Sequence, residues 1–251
     1  MALPPASGAS SRTRRLKLSR GRAGLTAVDI RASLRRSTPR TVPAWRVRRR
    51  TWSRALRGRP ARDVIQLALE LVPGGPWERL TAYELVAHHP GGIAALTPGS
   101  LRRLARGLSD WASVDTFACS VAGPAWRDGR LPASQVHGWL LSRDRWQRRL
   151  GVVCTVALNV RARGGRGDAA RTLAVCRAVV EDRDDMVVKA LSWALRSLVE
   201  WDARAVAAFL DEHDSALAAR VKREVATKLR TGHKRQVHRL SRAVEATDLR
   251  S

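Results

Sequence analysis

Apolar positions recur along the chain at helical spacing from Leu25 onward. Val64, Leu67, Ala68, Leu71 and Val72 share one face of a helix that Pro73-Gly74-Gly75-Pro76 closes. A second helix is predicted over 77–87 and is halted by His88-His89-Pro90-Gly91-Gly92. Thr97-Pro98-Gly99-Ser100 opens a third, with Pro98 near its start, where a missing N–H does no harm. The same periodicity predicts helices over 108–122, ending at Gly123-Pro124, and over 132–141 and 145–159. After a glycine-rich break at 163–167, helices follow over 169–180, 186–199, 203–212 and 215–229. Asp168 and Asp184 stand where side chains cap the free N–H groups of a helix start. Nothing alternates with period two for long enough to make a strand.

A succession of helices of roughly 10–16 residues with short breaks is the pattern of stacked helical hairpins. The expected fold is all-α, a HEAT-like helical-repeat solenoid of stacked antiparallel helix pairs with a concave basic face. A globular helical bundle is the structural alternative. No strict repeat is visible, so the repeats are degenerate. Residues 1–24, rich in Pro, Gly, Ser and Arg, read as a disordered basic arm. Residues 25–232 form the repeat domain, and 233–251 a basic tail or frayed helix.

Charge changes this picture from a fold to a partner. The 251 residues carry 47 Lys plus Arg against 22 Asp plus Glu, a net charge of +25. That excess points to a polyanion, nucleic acid before membrane. It is uneven: residues 1–60 hold 17 basic side chains and a single acid, Asp29. Only five of the basic residues are lysines (Lys17, Lys189, Lys222, Lys228 and Lys234). This skew looks like high-GC codon usage, so the choice of Arg over Lys is not itself a sign of phosphate recognition. Cys119, Cys154 and Cys176 sit in apolar helical patterns without short pairing and read as reduced core residues of a cytoplasmic protein. No apolar run approaches a bilayer span, and no hydrophobic segment marks a secretory signal.

Candidate chemistry concentrates in a few helices. Trp111 and Asp115 lie four residues apart, which places an indole and a carboxylate on one helical face. Trp193 sits in a later apolar helix, and Trp146 precedes Arg149 by three residues. A carboxylate and indole faces within a cationic surface suit a cationic group carried on an anionic polymer, as in alkylated DNA. The bland readings are that Trp111 and Trp193 are core packing and that Asp115 is a surface charge or an ion-pair partner of Arg149. Trp45, Trp52, Trp77, Trp139 and Trp201 are most simply inter-helix packing, while Trp126 and Trp146 stay ambiguous beside basic neighbours. In the loop 161–167, glycines admit backbone N–H groups to a phosphate and Arg163 and Arg166 supply charge; a flexible linker is the alternative. The loop lacks the Gly-Lys-Ser/Thr ending of a nucleotide-binding P-loop. The histidine pairs have no acids or cysteines at ligand spacing, and no nucleophile elbow is present, so neither a metal, a cofactor nor a hydrolase triad is called for.

Taken in order, Val42-Pro43-Ala44-Trp45-Arg46, Ala82-Tyr83-Glu84-Leu85, Trp111-x-x-x-Asp115, Trp146-x-x-Arg149 and Lys189-Ala190-Leu191-Ser192-Trp193 resemble blocks of the DNA alkylation repair family, the HEAT-like-repeat DNA glycosylases. The resemblance runs from about Thr41 to Gly232. It implies an enzyme that hydrolyses the N-glycosidic bond of cationic alkylated purines of the 3-methyladenine and 7-methylguanine type. In that reading Asp115 stabilises the oxocarbenium-like sugar and orients water, and Trp111 and Trp193 flank the lesion. Arg149 holds a phosphate, with Arg148 as its competitor, and Arg163 and Arg166 are further phosphate contacts. Neighbouring arginines are expected to depress the pKa of Asp115. The partner is duplex DNA containing alkylated bases, met by a monomer associated with the nucleoid; a non-catalytic DNA-structure-binding relative is the alternative. The family's longer lead-in before the Val-Pro-Ala-Trp block is replaced here by an arginine-rich stretch over 31–40.

Overall fold

A computed structural model of the chain describes residues 24–36 and 41–233. The expectations for the N-terminal arm and the C-terminal tail fall almost wholly outside these residues. The regular structure of the described residues is all helical, with no strand. In chain order the helices are α1 (Ala27–Arg35), α2 (Val42–Leu56), α3 (Ala61–Leu71), α4 (Pro76–Ala87), α5 (Pro98–Leu104), α6 (Trp111–Phe117) and α7 (Gly123–Arg127). They continue as α8 (Ala133–Leu140), α9 (Arg145–Cys154), α10 (Val156–Asn159), α11 (Ala169–Ala178), α12 (Asp185–Leu198), α13 (Ala203–Glu212) and α14 (Ala219–Thr231).

Local chemistry sets most of the boundaries. Thr26 and Thr97 begin α1 and α5 through reciprocal bonds with Asp29 and Ser100, and Pro43, Pro76 and Pro98 occupy the first turns of α2, α4 and α5. Asp110, Asp144, Asp168, Asp184 and Asp202 each accept a backbone N–H at the start of α6, α9, α11, α12 and α13. The two caps predicted at 168 and 184 are among them.

Packing is between neighbours. Helices α2, α4, α6, α9, α12 and α14 touch in succession, with the contacts between α9 and α12 and between α12 and α14 the most extensive of the series. A second row, α3, α5, α8, α11 and α13, lies against them: α3 on α4, α8 on α9, α11 on α12 and α13 on α14. This order, in which contacts pass from one pair to the next, is consistent with a helical-repeat fold. One apolar core runs through all of it, from Ile30 through Leu71, Tyr83, Phe117, Val153 and Leu195 to Val225. The three cysteines are buried and unpaired in that core.

The predicted stop at Gly123-Pro124 is where structure and expectation differ. The chain stays helical from Trp111 to Arg127, passing through a π-helical turn at Ala118–Ala122. Pro124 has no N–H to give the preceding turn, and a wider turn absorbs that loss: Gly123 N–H donates to the carbonyl of Ala118, five residues back. Gly123 also lies so close to α9 and α10 that a Cβ there would meet Cys154 O and Ala157 Cβ at 2.6 Å. Packing therefore holds together a helix that local propensity would end.

Candidate active site in the cleft along the inner helices

Asp110 caps α6 by accepting the N–H of Ser113, and this aims the first helical residue, Trp111, outward. Trp111 is 60 % exposed, so it is not a core residue. One turn on, Asp115 points into the same opening, a cleft of about 660 Å³ that Trp193 also lines. The three residues expected to work together thus face one space. On the other side of Trp111 and Trp193 lies a second cavity of about 600 Å³, bordered by Arg149, Lys189, Arg196, Arg220 and Glu224. The two indoles border both cavities.

Arg149 departs from its expected role. Its side chain is 7 % exposed and its guanidinium grips Asp115 with two bonds, Nε to Oδ1 at 2.9 Å and Nη2 to Oδ2 at 2.7 Å. Nη1 donates to the carbonyl of Met186 in the first turn of α12. The residue ties α6, α9 and α12 together, and its fork is filled by protein acceptors rather than turned towards a phosphate. Arg148 is likewise engaged, with Asp182 at 2.6 Å and with the carbonyls of Ser142 and Arg143. Arg163 does border the cleft, held by a 3.3 Å bond to Ser120 Oγ in the π-helical turn. Arg166 is exposed but opens onto a separate depression with Arg127, Asp128 and Arg171.

The expected depression of the Asp115 pKa is reversed. Burial raises it above the ordinary carboxylate value of 3.8, and Asp110 adds to the rise; Arg149 and Arg163 act the other way without cancelling it. The arginine pair stabilises the charged form, yet the carboxylate has given up most of its water, and desolvation is the larger effect. Cys119, one turn further along the same face, also lines the cleft; burial pushes its thiol up to about 12, so it is a neutral wall at physiological pH.

Several lining residues escaped the sequence reading. Trp45 is buried and packs at 6.0 Å on Trp77, as expected of core tryptophans, with its Nε1 donating to Thr81 Oγ1 at 2.8 Å. Both rings nevertheless also border the cleft, with Glu84 and His88 beside them. Glu84 lies 3.5 Å from both Arg49 Nε and His88 Nδ1. The signal for this wall was present in the sequence: Trp77, Leu80, Glu84 and His88 recur at three- and four-residue steps, one stripe of α4.

The cleft is thus walled by four indoles, two carboxylates and a few basic groups, open on one side to solvent. Such a site attracts a planar cation and stabilises positive charge that develops beside Asp115. No helix among the described residues is long and apolar enough to cross a membrane. The chain matches the family model described as "DNA alkylation repair enzyme" over residues 40–229. No curated protein and no solved structure gives a match.

Proposed function

The chain belongs to the DNA alkylation repair enzyme family, and from that premise we propose that it is a DNA glycosylase for cationic alkylated purines. The observation that carries this reading is the common cleft of Trp111, Asp115 and Trp193. Alkylation at N3 or N7 leaves a purine positively charged, and the base then departs with the bonding electrons of its N-glycosidic bond as a neutral molecule. Little acid catalysis is needed. The sugar is left with oxocarbenium character, and a water adds to C1′ while its proton passes to Asp115 or to solvent.

Each residue then has a physical task. The ionised Asp115 lies against the developing positive charge, in a site where burial strengthens the attraction. The exposed face of Trp111 and the half-buried face of Trp193 attract the cationic nucleotide, each by about 0.5–2 kcal/mol depending on desolvation. Arg149 fixes the carboxylate in position and limits how far its pKa rises. Arg163, at the rim, supplies a phosphate contact. The DNA lies along a basic, concave face formed by the inner row of helices.

Incubating methylated duplex DNA with the protein and assaying free 3-methyladenine and 7-methylguanine tests the proposal. Release that disappears in Asp115→Asn, with DNA affinity retained, is expected. A second reading has one observation in its favour: both oxygens of Asp115 are already bound by Arg149. A site neutralised in this way suits a relative that binds distorted DNA without cutting it. Tight binding of methylated duplex with no base release would establish that alternative and end the first.

A further inference from the structure

With Arg148 and Arg149 committed to carboxylates, the question of what holds the DNA backbone reopens, and the structure has a different answer from the one the motifs suggest. Helix α2 carries Arg46, Arg50 and Arg54, and Arg57 caps its C-terminus; at steps of four, four and three residues they make one stripe that spans roughly 16 Å at 1.5 Å per residue. All four are exposed. No acidic side chain among the described residues pairs with any of them, whereas most other arginines of α6–α14 have a carboxylate or carbonyl partner.

The stripe faces a groove of about 550 Å³ between α2 and the C-terminal end of α4, bordered by Arg49, Arg50, Ser53, Arg54, Arg57, His88 and His89. Glu84, which lines the neighbouring cleft, pairs with Arg49 at 3.5 Å. Within the groove the buried Ser53 Oγ has no hydrogen-bond partner among the described residues, and Arg49 Nε has only the 3.5 Å ion pair with Glu84. A buried hydroxyl left without a partner, such as that of Ser53, is rare in folded proteins and asks for one. The groove adjoins the cleft: His88 borders both, and Arg46 of the same stripe borders the cleft. A row of unpaired guanidinium groups leading away from a cation-binding cleft complements a row of phosphodiesters leading away from a damaged nucleotide.

We propose that the arginine stripe of α2, with Ser53 and Arg49 beneath it, is a phosphodiester-binding rail that holds one strand of the duplex next to the lesion. This rests on the reading of the protein as DNA-binding, but not on its being catalytic. Backbone contacts of this kind position the duplex and contribute counterion release, without sequence preference.

The test is binding of unmodified duplex DNA by fluorescence anisotropy across a salt series. It compares the full chain with Arg50→Ala/Arg54→Ala/Arg57→Ala and with a control that loses the same charge elsewhere, Arg102→Ala/Arg103→Ala/Arg130→Ala. The rail variant is expected to bind more weakly and to show a log–log salt slope shallower by about 2.7, roughly 0.9 for each of three lost phosphate contacts. The Arg50→Lys/Arg54→Lys/Arg57→Lys variant should keep most of the slope, since counterion release needs charge rather than a fork. Equal slopes for the chain and its rail variant, or an equal loss in the control, overturn the proposal. Wild-type protein that binds with the full slope yet releases no base leaves the rail standing and removes the glycosylase; protein with no affinity for duplex removes both.

Discussion

Arg149 on α9 and the arginines of α2 are the same residue type in two regions of one molecule, and they do opposite things. Arg149 is buried, doubly bonded to Asp115 and bonded again to Met186 O. Arg50, Arg54 and Arg57 are exposed and without acidic partners among the described residues. A guanidinium whose donors are filled inside the protein orders its neighbours and is screened little by salt. One that stands in water is a mobile charge whose attraction to phosphate fades as salt rises. The contrast teaches that burial and partner, not the motif in which an arginine occurs, decide whether its guanidinium is spent inside the protein or left free for a polyanion.

The largest break in that contrast is Arg149→Ala. It leaves a buried carboxylate without its counter-charge, which destabilises by about 3–5 kcal/mol, measurable as a loss in urea unfolding free energy. A change within about 0.5 kcal/mol would mean that the pair is surface decoration. Next comes Asp115→Asn, which keeps the shape and removes the charge. Base release should fall by about 10²–10³, as when one electrostatic contact to a transition state is removed, while duplex affinity stays. Full release in this variant would show that the carboxylate is not in the chemistry.

The pH profile sharpens the same comparison. In the proposed mechanism Asp115 works as a carboxylate, so release should be lost as pH falls through its pKa. That pKa is raised above 3.8 by burial, so the acid limb of release from bound substrate should lie above the ordinary carboxylate range. Arg149 lowers the pKa, so Arg149→Gln should move the limb to still higher pH in whatever fraction remains folded. An acid limb at or below 3.8, or no movement in the variant, contradicts this account.

How much of this was legible in the sequence follows from the same physics. The all-helical class, the caps at Asp168 and Asp184 and the grouping of Trp111 with Asp115 depend on local spacing, and local spacing is what a sequence displays. The stop at Gly123-Pro124 was misread because tertiary packing overrides it: Gly123 sits in a gap too narrow for a side chain, and the π-helical turn keeps the helix whole. Arg149, expected at a phosphate, is instead bonded to Asp115 and to Met186 O. Its alternative as an ion-pair partner of Asp115 was on the table, but 34 residues separate the two, and only folding decides which cation meets which anion. The repeat was fainter still. Trp45, Trp77, Trp111 and Trp146 each stand in the first turn of a helix of the first row, α2, α4, α6 and α9, a recurrence hidden by unequal loop lengths.

Trp111→Ala should have a smaller effect than either change at the ion pair. At 60 % exposure the indole contributes little to folding, so stability should stay within about 0.5 kcal/mol. Losing a cation–π contact of about 0.5–2 kcal/mol should lower kcat/KM for a cationic lesion roughly 2- to 30-fold. The discriminating measurement is the same assay on a neutral lesion, which offers no cation to the ring and should lose less. Equal losses on both would assign Trp111 to stacking or shape alone.

The smallest expected effect is the one that separates the two classes of arginine most cleanly. Arg54→Ala removes a side chain that touches no acid among the described residues, so unfolding free energy should not move beyond about 0.5 kcal/mol. Release from saturated complex should not move either, because the residue lies in the groove of α2 and not in the cleft. What should change is the salt slope of binding, by about 0.9 for one lost phosphate contact. Arg149→Ala should give the reverse pattern, a large loss of stability and a salt slope changed little beyond what partial unfolding imposes. If Arg54→Ala instead lowered stability, or if the slope fell with Arg149 and not with Arg54, the buried arginine would be the phosphate ligand after all and the stripe on α2 a solvated face.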